Sequence, residues 1–308
     1  MPAQVFSCNG RAFCFWSEDP RQNSLEHLEQ INADYFLEIA DSLENQWQER
    51  EKDPTLLQQI VLQYFLSLEA FFSFLLSILF APNYFYGWLV SYRNQDLHEI
   101  VAAIMSGEDC HFQVDVDGRG WEAIAATLFP TNDADWKLIV KNFGNLWREL
   151  ARRFNDENEL SAFNRAKHGF ALKPDAILKV QTGDPKNGVT IGSTGIGHRF
   201  GVAVRMNEEN KNNFRVDSRF VHWEPSKCLF AIRAVGMSLH NLYQSLRAHL
   251  LTGLTDAEFY VLDPTELNSF LVEQEGLLAV TLATQHITYS TPLPTKDEIL
   301  DFLSKNSI

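Results

Sequence analysis

At 308 residues, with 45% hydrophobic and 21% charged side chains, the chain has the make-up of a packed globular protein, which excludes a disordered or collagen-like polymer. Its net charge of -14, from 26 Lys+Arg and 40 Asp+Glu, excludes uniform coating of a phosphate backbone. The charge is uneven: residues 17–53 hold 11 acids and 3 bases and residues 54–136 hold 10 and 2, whereas residues 137–223 hold 15 bases and 9 acids, so an anionic partner is drawn to the middle.

In chain order, residues 4–16 read as a β-hairpin. Asn9-Gly10 lies between two apolar runs and suits a two-residue type I′ turn, a register that sets Phe6 opposite Phe13. A long helix over 24–50 follows, with Leu28, Ile31, Tyr35, Ile39, Leu43 and Trp47 on one face. Asp53-Pro54 then opens the most apolar helix of the chain, ending near Ala81. It is long enough to cross a bilayer. Glu69 near its centre, a polar or small stripe (Gln59, Gln63, Ser67, Ala70, Ser73, Ser77) and the lack of a one-sided basic flank argue instead for a buried bundle helix. Helices over 94–105, 121–128 and 135–154 follow, and Asp156 with Glu159 reads as a capping pair that restarts a short helix ending at His168.

Beyond 171 the period changes from helix to strand. Residues 199–206 and 214–223 alternate and form an antiparallel hairpin. Gly192–Gly197 lacks the Lys-Ser/Thr of a phosphate loop and leads into a strand. A helix from Pro225 to about Leu251 carries a seam of Leu229, Ile232, Val235, Leu239, Leu242, Leu246 and Leu250. The tail holds a helix after Asp263-Pro264, a strand over 277–289 and a last helix opened by Thr295 and Glu298. The expected fold is mainly α: a helical bundle domain over 1–251, with the N-terminal hairpin 4–16 and a β insertion at 171–223, and a small acidic α/β tail over 252–308.

Few residues offer chemistry. Cys8, Cys14, Cys110 and Cys228 form no CxxC pair, and the N-terminus has no basic segment leading into an apolar run, so a reducing, cytoplasmic compartment is expected. Asp115-Val116-Asp117-Gly118 starts like a calcium loop but lacks the later oxygen ligands and reads as a turn. No metal site and no cofactor are expected. Two stretches share the pattern Asn-x-x-x-His: Asn94 to His98, preceded by Arg93, and Asn164 to His168, which includes Arg165 and Lys167.

A helical bundle with Arg93-Asn94 and His98 on one helix resembles the HEPN superfamily, small all-helical domains that include metal-independent ribonucleases of bacterial defence and toxin systems. The resemblance implies a catalytic set of Arg93, Asn94 and His98 in a composite site across a homodimer. It also implies RNA as substrate: imidazole moves protons near neutral pH and guanidinium forks onto phosphate. At the second stretch Phe163 stands where the motif has Arg. Asn164, Arg165, Lys167 and His168, inside the net-basic region, are therefore expected to bind RNA rather than cut it. Lys167 and His168 also suit a last helical turn, with Gly169 as its left-handed cap. The rival readings are a non-enzymatic interaction or scaffold protein, and a membrane-associated protein using residues 60–81.

Overall fold

The computed structural model describes residues 3–16, 19–51, 53–129, 134–166, 173–175, 179–182, 189–193, 197–205, 213–251, 258–272, 278–288 and 296–305. The chain divides into two compact units, one of residues 1–163 and 223–276, the other of residues 164–222 and 277–308. The protein is mainly α, with its β-structure in an N-terminal hairpin and in the second unit.

The first unit opens with β1 (Ala3–Cys8) and β2 (Arg11–Trp16), joined by Asn9 and Gly10 at φ 47° and 75°. Both turn residues adopt the positive φ of a type I′ turn, so Phe6 pairs with Phe13 and the rings stack at 5.3 Å. The expected single helix over 24–50 is two helices, α1 (Pro20–Leu28) and α2 (Tyr35–Glu49). Asp19 accepts from the Gln22 amide at 2.9 Å and starts α1 early. Between the helices the Asn32 side chain accepts from the Asp34 amide at 3.1 Å, the local capping by which Asn and Asp divert a backbone from continuous helix.

The core is built on α3 (Pro54–Phe80). Asp53 caps it by accepting from the amides of Thr55 at 2.9 Å and Leu56 at 3.3 Å, and Pro54 takes the first position. Of its most apolar 18-residue window, 72% is buried by other elements, the placement of a core helix. Ser67, Ser73 and Ser77 turn their hydroxyls onto carbonyls three residues back, so they satisfy themselves inside the helix. Around it lie α4 (Phe85–Leu89), α5 (Asn94–Ser106), α6 (Gly120–Leu128), α7 (Ala134–Phe154), α8 (Glu157–Ala166), α9 (Pro225–Leu250) and α10 (Pro264–Val272). Trp147 on α7 is fully buried and donates from Nε1 to Ser238 Oγ on α9 at 3.1 Å. Gly236 lets α9 approach α2: a Cβ there would meet the Leu37 amide nitrogen at 2.9 Å.

The second unit holds β3 (Lys173–Asp175), β4 (Lys179–Thr182), β5 (Val189–Ser193), β6 (Gly197–Arg205), β7 (Asn213–His222), β8 (Leu278–Thr288) and α11 (Lys296–Lys305). β4 and β5 pair with each other, and the larger antiparallel sheet has the order β3-β6-β7-β8. The expected boundary at 251/252 is therefore corrected. The tail strand β8 pairs with β7 from Asn213↔Thr288 to His222↔Leu278, while α10 belongs to the first unit. A two-stranded ribbon is marginal in water, and the third long strand comes from far down the chain. The expected capping pair at 156/159 is half formed: Asp156 accepts from the Glu159 amide at 3.0 Å, but the Glu159 carboxylate turns inward.

Candidate functional site

The start of α5 is decided by one carboxylate. Asp96, fully buried, accepts from the Arg93 amide at 2.8 Å, from Arg93 Nε at 3.2 Å and from Arg93 Nη2 at 2.8 Å. Arg11 of the hairpin donates to the same carboxylate and, at 3.1 Å, to the Ser91 carbonyl, while Asn9 donates to Glu99 at 2.5 Å. The Arg93 hydrogen bonds hold the Asp96 pKa down at about 2. Arg11 thus straps the hairpin to α5 through Asp96, while Arg93 closes the first turn of α5 on the same carboxylate. Asn94 follows it, exposed on the first turn of the helix.

His98 stands two residues after Asp96, about 200° further around the helix at 100° per residue, on the opposite side of α5. Its Nδ1 lies 2.9 Å from Asn155 Oδ1, just past the end of α7, and its ring stacks on Phe154 at 4.1 Å and 11°. Asn155 Nδ2 donates to the His98 carbonyl at 3.4 Å, which turns Oδ1 toward the ring. The hydrogen-bond network therefore assigns the proton to Nδ1 and makes Nε2 the acceptor nitrogen of the ring. The set expected from sequence is not gathered: Arg93 is committed to Asp96, and His98 faces α7.

The second stretch is described only in part. Asn164 is exposed on α8, and Arg165 belongs to the same helix. Lys167 and His168 lie outside the described residues. Phe163, at the position where the motif has Arg, is a core residue, buried and stacked on Phe65 at 4.7 Å.

Sequence reasoning missed a buried polar cluster between α3, α7, α8 and α9. Tyr64 donates to Glu159 Oε2 at 3.2 Å. Glu149 accepts from Arg152 at 2.9 and 2.7 Å and from Arg153 at 2.8 Å, and the Arg153 guanidinium also lies 4.6 Å from the Phe270 ring centroid. Burial pushes the Glu159 carboxyl up to about 7 against the pull of Arg153. Burial likewise drives the Cys228 thiol to about 12 and the Tyr64 hydroxyl well above its ordinary value. For Glu149 burial works against the charge, yet the hydrogen bonds from Arg152 and Arg153 outweigh it and lower the pKa. The available signal was an acid at 159 in the first turn of an amphipathic helix, which capping explained without invoking a buried partner.

A cavity of about 480 Å³ lies inside the loop of residues 107–120, lined among others by Asp109, Cys110, His111, Asp115 and Arg119. Burial, with the carboxylates of Asp109 and Glu108 beside it, raises the Cys110 thiol above its ordinary pKa, the opposite of an activated nucleophile. Gly118 at φ 110° makes the turn expected there. Among the described residues no three His, Cys, Asp or Glu side chains are grouped to hold a metal ion. No protein-family model, curated protein or solved structure matches the chain.

Proposed function

We propose that the protein binds RNA and cleaves it as a HEPN-like helical ribonuclease, with His98 as the proton acceptor. The observation that carries this reading is the His98–Asn155 pair: the amide fixes one tautomer and presents Nε2 as a base. In the proposed step Nε2 takes the 2′-hydroxyl proton and the 2′-oxygen attacks the adjacent phosphorus. The bond to the 5′-oxygen breaks, and that oxygen receives a proton from the imidazolium or from water. The products are a 2′,3′-cyclic phosphate and a 5′-hydroxyl. Asn155 acts as a positioning residue in this scheme, and Arg93 has no part in it.

End-labelled RNA incubated in EDTA tests the proposal. The wild type should cut it to cyclic-phosphate ends, and His98→Ala should lose roughly 10²-fold or more in rate, the usual worth of a positioned base. A folded wild type that neither cuts nor retains RNA refutes the reading. A non-enzymatic interaction protein is the second reading. It is favoured by one observation, the commitment of the Arg93 guanidinium to Asp96 rather than to an open cleft.

A further inference from the structure

The first 136 residues are strongly acidic, yet α7 within the same unit turns a row of cations outward. Lys137, Lys141, Arg148 and Arg152 are all exposed. At 100° per residue they fall at about 0°, 40°, 20° and 60° around the helix, within one narrow stripe. At 1.5 Å per residue the stripe runs roughly 22 Å. Lys137, Lys141 and Arg148 make no ion pair among the described residues, and Arg148 donates to Asn145 Oδ1 at 3.0 Å. Arg152 shares Glu149 with Arg153. Asn155 continues the stripe at about 0°, so its far end is the residue that holds His98. The opposite face of α7 is spent on the core through Val140, Phe143, Trp147, Leu150 and Phe154. Glu122 adds one exposed carboxylate at the edge, where α6 crosses at Gly144.

We infer that the exposed face of α7 is the track on which an RNA strand's phosphate backbone is held, with Lys137, Lys141 and Arg148 as its contacts. The inference rests on the RNA reading above and supplies the phosphate-binding cations that Arg93 does not. Charge complementarity selects the partner: a row of cations, three of them without an ion pair among the described residues, on an acidic body suits a linear polyanion. No aromatic side chain lies on the stripe, so contact is to backbone rather than to stacked bases. Lys and Arg serve phosphate as point charge and fork respectively.

Fluorescence anisotropy with a labelled single-stranded RNA, titrated at several salt concentrations with the full chain, tests this. Each single-strand phosphate contact contributes about 0.7 to the log–log salt slope, so Lys137→Gln/Lys141→Gln/Arg148→Gln should lower the slope by about 2. The wild type should therefore lose roughly 20-fold more affinity than the triple variant between 50 and 200 mM salt. Gln keeps helix propensity at these exposed positions. Should the triple variant fail to fold, Arg148→Gln alone is expected to lower the slope by about 0.7. A control that removes three exposed bases elsewhere, Arg50→Gln/Arg247→Gln/Lys296→Gln, should leave the slope unchanged. An equal drop in that control would show a general charge effect and overturn the assignment. Competition by polyglutamate as effective as by RNA would point to an acidic protein partner and overturn it too. RNA that is bound and cut with an unchanged slope in the triple variant overturns the α7 track alone. A wild type that binds no RNA overturns the track and the proposed function together, and His98→Ala should cut roughly 10²-fold or more slowly yet keep the wild-type slope.

Discussion

Replacing Glu159 by Gln tests the buried cluster through pH. The carboxyl is fully buried beside Tyr64 and its folded-state pKa is about 7 against an ordinary 4.5. A raised carboxyl pKa means the folded state holds the proton more tightly than the unfolded chain does. The resulting stabilisation is complete below about 4.5 and is lost as pH rises through 7. At 1.36 kcal/mol per pH unit, the loss between pH 5 and pH 8 amounts to about 3 kcal/mol. The substituted amide keeps an oxygen to accept from Tyr64 but cannot ionise. Urea unfolding of both proteins, followed by tryptophan fluorescence, isolates the effect, because all 7 Trp belong to the first unit. Glu159→Gln should be close to the wild type at pH 5 and about 3 kcal/mol more stable relative to it at pH 8. Taking the difference between the two proteins cancels every other titrating group. A difference that stays constant from pH 5 to 8 would refute the reasoning: the carboxylate would then be ionised throughout, with the Arg153 charge outweighing burial.

Further outcomes follow from the straps and crossings. Asp96→Asn keeps the side-chain shape but removes the charge that Arg93 and Arg11 share; thermal unfolding should show a loss of about 1–3 kcal/mol, and unchanged stability would show the strap to be idle. Arg93→Ala, by contrast, should leave RNA cleavage per folded molecule near wild type, and a loss comparable with that of His98→Ala would return Arg93 to the site. Gly236→Ala forces a Cβ to within 2.9 Å of Leu37 and should cost about 1–3 kcal/mol by urea titration, whereas a neutral result would mean α2 can withdraw. Truncation after Gly276 removes β8 and α11 and should abolish strand signal from the second unit in circular dichroism; a retained β spectrum would show that β6 and β7 stand without their partner.

What sequence revealed was mostly local. The hairpin followed from Asn9-Gly10 and its register from counting outward, because the turn type fixes the pairing. The helices α3, α5, α7 and α9 matched the expected spans within a residue or two, since long apolar periodicity and Asp53-Pro54 or Pro225 mark their limits. The break between α1 and α2 was missed because residues 29–34 continue the apolar spacing with Ile31. The Asn32 side chain, accepting from the Asp34 amide, shows that the chain stops there. The pairing of β8 with β7 links residues more than 50 apart, and alternation alone names no partner strand. At the candidate site, the motif residues were legible as types but not as neighbours. Asp96 captured Arg93, and Asn155, which the motif does not contain, positions His98.

The order of that sheet also has a cost in time. β7 is complete when His222 leaves the ribosome, but Leu278, where its partner strand begins, follows 56 residues later. At roughly 5–20 residues per second, β7 waits about 3–11 s with one edge bare. During that interval its amides and carbonyls are open to any passing strand, including the same segment of a neighbouring nascent chain. Synthesis on crowded polysomes should therefore favour aggregation through residues 213–222, and slower initiation or a bound holdase should raise the soluble yield more than any change that strengthens the finished helical core.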